Sequence, residues 1–225
     1  MEEINLVAVN PCPILFKDTY DFDFVNKWKD RFDEIHSKID PDAYENTQLE
    51  RDGGISSVYR TYQDPPHDWP EFADFNKFLM DRASIIADIW NFDERAGLRL
   101  TESWCNVHPQ GAWTDVHHHH GIAIATASYL CVPPDSGRFL IKNPYEHFKR
   151  SEPLRQEITM SGDEWIPVDV HTNDVLFFPG WLTHKTEKNK NADKEKRYIM
   201  SWNIASFNAL CRASPEEPRN ILYPK

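Results

Sequence analysis

The sequence lacks the features that mark several classes of protein. Its four cysteines, Cys12, Cys105, Cys131 and Cys211, form no C-x-x-C pair. Neither a disulfide framework nor a thiolate zinc site is therefore expected, and we interpret the cysteines as reduced core thiols. No apolar run approaches the roughly 20 residues that a membrane span needs, and the start MEEINLVAVN lacks the basic residues of a signal peptide. These absences predict a soluble, cytoplasmic protein without a membrane partner.

Basic residues are also fewer than acidic ones. The chain has 25 Lys and Arg against 36 Asp and Glu, a formal net charge of −11, which argues against nucleic acid as a partner. Apolar residues make up 40% of the chain and aromatic residues 13%, so a sizeable core can form and a disordered chain is not expected. At 225 residues, we expect one domain, on a prior of roughly 150 residues per domain.

Two helices are predicted in the first part of the chain. The first is indicated by apolar residues at spacings of three and four, followed by Pro41: Phe24, Trp28, Phe32, Ile35 and Ile39. The second begins near Pro70, with an inward face of Phe72, Phe75, Phe78, Leu79, Ile86 and Trp90. Residues 6–16, which contain two prolines, predict an edge strand, and residues 51–66 predict a short strand between turns.

After Gly97 the apolar pattern changes to a period of two. Six segments rich in β-forming residues are predicted as strands: 98–107, 122–132, 137–142, 164–170, 174–179 and 197–207. Strands without intervening helices predict an antiparallel barrel or jelly roll. The fold class is thus mainly β, with N-terminal helices packed outside the β core. Within one domain, 1–225, we expect 1–97 to support a core at 98–207, with a charged loop at 187–196 and a surface tail at 208–225.

Histidine is the unusual residue type, with ten in all and four in succession in TDVHHHHG. Residues i and i+2 of a strand point the same way, so His117 with His119, or His118 with His120, can grip one ion. His184 follows a later apolar strand in FFPGWLTH. Three histidines brought together by a barrel would bind a divalent transition metal. The alternative is a solvated loop without a catalytic role.

The other histidines carry less signal. Isolated histidines are usually surface or packing residues, and we interpret His36, His67 and His147 in this way. His108, in the turn HPQG, could approach the site, but a turn histidine is more often exposed. Trp113 and Trp181, close to the predicted ligands, could wall a pocket, although tryptophans in a β core more often serve packing.

Arg197 opens an apolar strand on which Arg197, Ile199, Ser201 and Asn203 share one face. A buried guanidinium requires an anionic partner. A dicarboxylate co-substrate offers one, since the planar fork of Arg197 suits bidentate pairing and Ser201 can add a hydroxyl donor. The alternative is that Arg197 pairs with Asp174 or Glu102.

The order of these motifs resembles that of the iron(II) and 2-oxoglutarate-dependent oxygenases. It is similar in detail to a branch with SW-x-N-V, H-x-H, YYL-x-VP, LFFPSWLxH and RxxxSFN. This sequence has SWCNVHPQG (103–111), HHHHGIAIATASYLCVP (117–133), VLFFPGWLTH (175–184) and RYIMSWNIA (197–205). The resemblance covers residues 98–207, and it implies a double-stranded β-helix in which these residues form the catalytic core.

The resemblance also implies roles for individual residues. His117 and His184 would hold Fe(II), and Arg197 would bind the far carboxylate of 2-oxoglutarate. Tyr129, in the strand that corresponds to YYL, would reach the same carboxylate. Two weaker candidates for co-substrate binding are Ser201 and Asn106.

One position departs from the family pattern. Most of these enzymes use two histidines and one Asp or Glu as iron ligands, whereas His119 stands two residues after His117. Either the site has three histidines, which the register of the motif favours, or Asp115 supplies the carboxylate from the other side of His117.

The resemblance implies a dioxygenase that uses O2 to hydroxylate a substrate while 2-oxoglutarate is decarboxylated to succinate. A peptide, with prolyl hydroxylation slightly favoured, or a small metabolite would be the substrate, and the loops 143–163 and 187–196 would border the mouth of the barrel. Two other classes compete with this interpretation. One is a cupin-like metalloenzyme that does not use 2-oxoglutarate, and the other is a jelly-roll binding protein without catalysis. The sequence does not indicate the oligomeric state.

Overall fold

The computed structural model describes residues 14–40, 42, 50–58, 65–92, 97–144 and 164–206. Their strands are β1 (Phe16–Thr19), β2 (Glu50–Arg51), β3 (Ile55–Ser56), β4 (Leu98–His108), β5 (Trp113–Thr114), β6 (Ile124–Cys131), β7 (Phe139–Lys142), β8 (Trp165–Val168), β9 (Asp174–Pro179), β10 (His184–Thr186) and β11 (Arg197–Ser206). The helices are α1 (Phe24–Lys27), α2 (Lys29–Ser37) and α3 (Ala73–Ile89), with 3-10 turns at Pro66–Asp68 and Pro70–Phe72.

The strands form two main sheets in which every pairing is antiparallel. The larger sheet has the order β1-β9-β6-β11-β4-β3 and the smaller one the order β10-β7-β8, while β2 and β5 pair separately. All six predicted strands are present, as β4, β6, β7, β8, β9 and β11. The predicted fold class, a mainly β jelly roll with flanking helices, is confirmed.

The two faces of the larger sheet have different partners because successive side chains of β11 point to opposite sides. Tyr198, Met200 and Trp202 face the helices and belong to a cluster of buried residues with the aromatic side chains of α1, α2 and α3. The ring of Trp202 lies 4.7 Å from that of Phe75, measured between centroids. Ile199 faces the smaller sheet and packs in a second cluster. The candidate site lies on this second face.

The helices differ from the prediction at their boundaries. The first predicted helix is interrupted at Trp28, whose φ of −125° and ψ of −25° are not helical. Its ring stacks on Phe72 with 4.4 Å between centroids, so tertiary packing holds the residue at which the helix breaks. The apolar stripe is still buried at Phe24, Phe32 and Ile39. The second helix begins at Ala73, after the 3-10 turn at Pro70–Phe72.

Some predictions fall on residues outside the described ranges. They include the tail 208–225, most of the loop 143–163, His147, Cys12 and Cys211. Of the predicted edge strand 6–16 only the last residues are described, and β1 runs from Phe16 along the edge of the larger sheet. Cys105 and Cys131 are free thiols. None of the described helices is long and apolar enough to cross a membrane.

Candidate metal centre

His117 and His184, which are far apart in the sequence, form an isolated antiparallel bridge. The backbone N–H of each residue donates to the carbonyl oxygen of the other, and both hydrogen bonds measure 3.0 Å. Directly opposed residues in such a bridge project their side chains to the same side. The two imidazole rings consequently lie close together, with 4.2 Å between centroids.

His119 completes a group of three histidines. Its ring centroid lies 5.3 Å from that of His117 and 5.2 Å from that of His184. One nitrogen atom from each of the three rings lies within 4.8 Å of the others. The backbone N–H of His119 donates to the carbonyl oxygen of Gly180 at 2.8 Å. A Cβ atom at Gly180 would collide with the carbonyl oxygens of Ile122 and His119. Glycine at this position therefore allows the two loops to approach.

The alternation of the four-histidine run decides which pair faces the site. His118 and His120 are exposed and contact each other, with 4.2 Å between ring centroids. His117 and His119 face inward toward His184. The structure thus brings together the three histidines that the sequence singled out, and turns the second H-x-H pair to the surface.

Each of the three rings is held by a hydrogen bond at Nδ1. His117 Nδ1 donates to the carbonyl oxygen of Asp115 at 2.8 Å, and His184 Nδ1 donates to that of Leu182 at 2.8 Å. His119 Nδ1 donates to the side-chain oxygen of Asn203 at 2.6 Å.

A carbonyl oxygen can only accept, so Nδ1 carries the proton in each ring and Nε2 presents a lone pair. The Nε2 atom of His119 is buried and has no hydrogen-bond partner among the described residues. Three neutral imidazoles with convergent lone pairs, one of them otherwise unsatisfied, fit a divalent transition metal.

Burial keeps the rings of His119 and His184 in the neutral form that binds a metal. It lowers the pKa of His119 to about 4, and the neighbouring His117 adds to this effect. Burial likewise holds the pKa of His184 well below its usual value, with His117 and His119 contributing. The rings of Phe139 and Phe178 pack against His184, with 5.3 and 4.7 Å between centroids. The lowered pKa values of His119 and His184 and the packing of the two phenylalanine rings together describe a site from which water is largely excluded.

The depressed pKa of His119 predicts that the metal-free protein loses stability in acid. In the unfolded chain the imidazole takes up a proton near pH 6.5, whereas in the folded chain it does so only near pH 4. Between these values the unfolded state binds more protons, so unfolding becomes easier as the pH falls. We expect a loss of about 3 kcal/mol from this residue by pH 4. Urea unfolding in the presence of a chelator at several pH values measures it, and a free energy independent of pH would contradict the assignment.

Asp115, the other candidate for a metal ligand, is engaged by Arg51. Its Oδ2 accepts from Nε and Nη2 of Arg51 at 3.1 and 2.9 Å, and its Oδ1 accepts from the backbone N–H of Val116 at 2.8 Å. Burial acts to raise the pKa of Asp115, but the hydrogen bonds from Val116 and Arg51 outweigh it and lower the pKa. The carboxylate is therefore ionised and held by an arginine, while its backbone carbonyl supports His117.

Arg197 is fully buried at the start of β11. Its Nε and Nη2 donate to Nδ1 of His108, directly opposite in β4, at 3.2 and 3.0 Å. Nη2 also donates to the hydroxyl of Thr186 at 3.0 Å. The remaining acceptors are the backbone carbonyls of Ser136, Gly137 and Glu187. Since Thr186 lies two residues after His184 in β10, the guanidinium is connected to the strand that carries a candidate metal ligand.

The surroundings of Arg197 correct one expectation. His108 is not an exposed turn residue but the fully buried last residue of β4. Because its Nδ1 accepts from Arg197, its Nε2 carries the proton and donates to the hydroxyl of Thr114 at 2.9 Å. The two acids considered as partners of Arg197 have contacts of their own. Asp174 forms an ion pair with Lys17 at 2.6 Å, and Glu102 accepts from Asn203 at 2.6 Å.

Tyr129 is fully buried in β6, and its hydroxyl has no hydrogen-bond partner within the part of the chain that the structure describes. Burial raises the pKa of Tyr129, so the hydroxyl remains a donor, and the charge of Arg197 lies near enough to oppose that shift. An unsatisfied buried donor beside a guanidinium fits an acceptor such as a carboxylate.

The two weaker candidates lie on the same face of the sheet. Ser201 is buried on β11, opposite Trp104 of β4 and Ala127 of β6. Asn106 is opposite Ile199, and its side-chain oxygen accepts from the hydroxyl of Ser56 at 2.8 Å. The structure thus places all four predicted co-substrate residues on three adjacent strands that face the smaller sheet.

The remaining predicted residues take ordinary positions. His36 is buried, with its ring nitrogens 2.5 and 3.1 Å from the carbonyl oxygens of Phe32 and Cys105. His67 contacts the hydroxyl of Ser103 at 2.9 Å. Trp181 is 58% exposed, and its side chain does not close the site. The sequence does not predict the hydrogen bond between Asn203 and His119. The alternation of the strand does predict that Asn203 lies on the same face as Arg197.

The comparisons with known proteins concern the family and the fold. Residues 102–203 match the model of a family described as "Putative 2OG-Fe(II) oxygenase". A comparison with curated proteins found no match.

Several solved structures share the fold. A prolyl-4-hydroxylase from Pseudomonas putida has a TM-score of 0.50 and 12% identity, and the match covers 85% of this chain and 92% of that one. HygX from Streptomyces hygroscopicus, with nickel and 2-oxoglutarate bound, has a TM-score of 0.51 and 15% identity over 86% and 83%. The non-heme alpha-ketoglutarate-dependent carbocyclase SnoK from nogalamycin biosynthesis has a TM-score of 0.53 and 16% identity over 84% and 78%.

The family match covers all three histidines and Arg197. At these identities the solved structures establish the fold alone, and that fold is the one predicted from the sequence. Residues 102–203 thus match the family of 2OG-Fe(II) oxygenases, and the resemblance seen in the sequence, to enzymes whose cofactor is Fe(II) and whose co-substrates are 2-oxoglutarate and O2, is confirmed.

Proposed function

We propose that the protein hydroxylates a peptide or small-metabolite substrate while it decarboxylates 2-oxoglutarate to succinate, and that His117, His119 and His184 hold the iron. The observation that carries this proposal is the set of three imidazoles whose Nδ1 protons are fixed by carbonyl oxygens. The lone pairs on Nε2 are left for a metal, and that of His119 has no other partner in the described chain.

The bound metal would supply the activation of O2, which side chains of this protein cannot provide. The residues of the chain have three tasks. The histidines fix the position of the metal, and the aromatic rings of Phe139 and Phe178 keep water from His184. Arg197 and Tyr129 would hold the far carboxylate of 2-oxoglutarate.

Arg197 and Tyr129 would contribute in different ways. All five N–H groups of Arg197 already have acceptors within the protein, so a bidentate pair with a carboxylate requires some of these hydrogen bonds to be exchanged. The guanidinium therefore acts chiefly through its positive charge in a buried place. The Tyr129 hydroxyl supplies the donor that has no other partner among the described residues.

The substrate class rests on weaker support. Similar folds occur in a prolyl-4-hydroxylase and in a carbocyclase of nogalamycin biosynthesis. One fold hosts different reactions, so these names support a peptide and a small metabolite without deciding between them.

Reconstitution of the metal-free protein with Fe(II) tests the proposed reaction. We expect 2-oxoglutarate to be converted to succinate in an O2-dependent manner, slowly without substrate and faster with a member of a panel of prolyl peptides and metabolites. Metal binding without any effect of 2-oxoglutarate would favour a cupin-like enzyme. Absence of stoichiometric metal would favour a binding protein.

Replacing Tyr129 with phenylalanine should weaken 2-oxoglutarate binding without destabilising the fold. The variant removes only a hydroxyl that has no hydrogen-bond partner in the described part of the protein. A hydrogen bond to a charged group contributes about 1.5–3 kcal/mol, so we expect affinity to fall about 10- to 100-fold. Isothermal titration of the metal-loaded protein measures this change. Unaltered 2-oxoglutarate affinity would remove Tyr129 from the site.

A further inference from the structure

We propose that Glu102 and Asn203 are positioning residues for the metal centre, and that together they place a negative charge behind His119. The inference rests on the proposed function, because it concerns one of the three proposed iron ligands. It assigns a task to two residues that do not themselves reach the metal.

The contacts form a continuous chain of carboxylate, amide and imidazole. Asn203 Oδ1 accepts from Nδ1 of His119 at 2.6 Å, and Asn203 Nδ2 donates to Oε2 of Glu102 at 2.6 Å. Both distances are shorter than the usual value of about 2.9 Å for N–H···O hydrogen bonds, and for the bond between Asn203 and Glu102 this is expected because its acceptor is a carboxylate. A carboxylate can only accept, so Glu102 fixes the orientation of the amide and directs its oxygen to His119.

The register of the sheet builds this chain. Glu102 and Asn203 are directly opposite each other in the pairing of β4 with β11, immediately before a register shift in β11. Trp104, two residues after Glu102, faces the same side, and its ring stacks on His119 with 5.7 Å between centroids and 28° between planes. His119 is thus held at its edge by Asn203 and on its face by Trp104.

His119 differs in this respect from the other two proposed ligands. His117 and His184 donate from Nδ1 to neutral backbone carbonyls. His119 occupies the position at which most enzymes of this class place an Asp or Glu ligand. A carboxylate behind a metal-bound imidazole makes that imidazole a stronger base. Through Asn203, Glu102 supplies His119 with part of the negative charge that a carboxylate ligand at this position would carry.

The isosteric variant Glu102→Gln separates charge from geometry. Its amide oxygen can still accept from Asn203 Nδ2, while the negative charge is removed. We expect the affinity of the metal-free protein for Co(II) to fall about 10-fold, the lower end of the range for outer-sphere partners of metal ligands. The matched control Glu71→Gln removes an exposed carboxylate paired with Arg31, and should leave Co(II) affinity unchanged.

A rescue experiment distinguishes the charge from a general structural role. The double variant Glu102→Gln with Asn203→Asp moves the carboxylate into direct contact with Nδ1 of His119, while the new amide at 102 can donate to it. We expect Co(II) affinity to return at least to the level of the natural protein. Failure of this rescue in a folded double variant would contradict a role for the charge.

A second measurement needs no metal. In the 15N-histidine NMR spectrum of the metal-free protein, we expect the Nδ1 proton of His119 to shift upfield in Glu102→Gln, while those of His117 and His184 stay in place. Equal Co(II) affinity and an unchanged spectrum in this variant would overturn the inference. If the natural protein fails to bind Co(II), the proposed function fails, yet the NMR comparison still decides whether Glu102 polarises His119.

Discussion

Replacing His119 with alanine is expected to abolish stoichiometric metal binding, whereas His118→Ala leaves it unchanged. The two residues are neighbours in one run of histidines, but His119 faces His117 and His184 while His118 is exposed. Removal of one of three imidazole ligands should lower metal affinity by more than the 10- to 100-fold that is typical for an outer-sphere partner. Metal content after anaerobic loading, together with Co(II) titration, measures the effect, and turnover of 2-oxoglutarate should be lost with the metal.

Asp115→Asn is the complementary variant. Since Arg51 holds the Asp115 carboxylate and only the backbone carbonyl of Asp115 supports His117, we expect metal affinity to change little. Circular dichroism of the three variants verifies that they are folded. A strong loss of metal in Asp115→Asn with retention in His119→Ala would show that the iron has a carboxylate ligand.

Replacing Arg197 with leucine is expected to have two large effects, on folding and on co-substrate binding. The variant removes the Arg197 donor from Nδ1 of His108 and from three backbone carbonyls, whereas the hydroxyl of Thr186 still accepts from the backbone N–H of Thr114. Each unsatisfied buried polar group costs about 1–3 kcal/mol, so we expect a loss of about 4 kcal/mol or more in the free energy of unfolding. The requirement for 2-oxoglutarate should rise sharply, while metal affinity is retained in the folded protein.

The exposed Arg138 provides a matched control. It forms an ion pair with Glu187 at 2.8 Å, and its side chain is 47% exposed, so Arg138→Leu should cost no more than about 1 kcal/mol. Arg197→Lys, which keeps the charge but not the fork of donors, supplies a folded variant if leucine is not tolerated. Because Arg197→Lys keeps the positive charge, it should retain most of the 2-oxoglutarate affinity. Unchanged affinity in a folded Arg197→Leu or Arg197→Gln variant would refute the role of Arg197 in co-substrate binding.

The grouping of the three histidines could be predicted from local sequence. Strand geometry predicts that His117 and His119 point the same way, and they do so although His117 lies in an isolated bridge and His119 outside any strand. His184 lies just after an apolar segment of clear period. The six longer strands were predicted for the same reason. Strands of two or three residues, such as β10, carry too few residues to show a period, and β10 was missed although it begins with His184.

The supporting contacts could not be predicted, because they depend on register between distant strands. Glu102 and Asn203 are 101 residues apart in sequence yet directly opposite in the sheet. The motif HPQG predicts a turn at His108, which could approach the site but is more often exposed, whereas β4 continues through this residue to meet Arg197. Most acceptors of Arg197 are backbone carbonyls. Every residue has such a carbonyl, so the amino-acid sequence does not predict which of them Arg197 contacts.

The bridge between His117 and His184 has a consequence for the order of folding and metal loading. Their mutual backbone hydrogen bonds hold two of the proposed metal ligands side by side. In small zinc modules the binding free energy of the metal is largely spent on ordering an unfolded chain. Here main-chain hydrogen bonds between two segments of the fold hold the two histidines, so we expect the fold to depend less on the metal than in those modules. Loss of the metal would then inactivate the enzyme reversibly while the fold persists, so the core would not be exposed to aggregation or proteolysis.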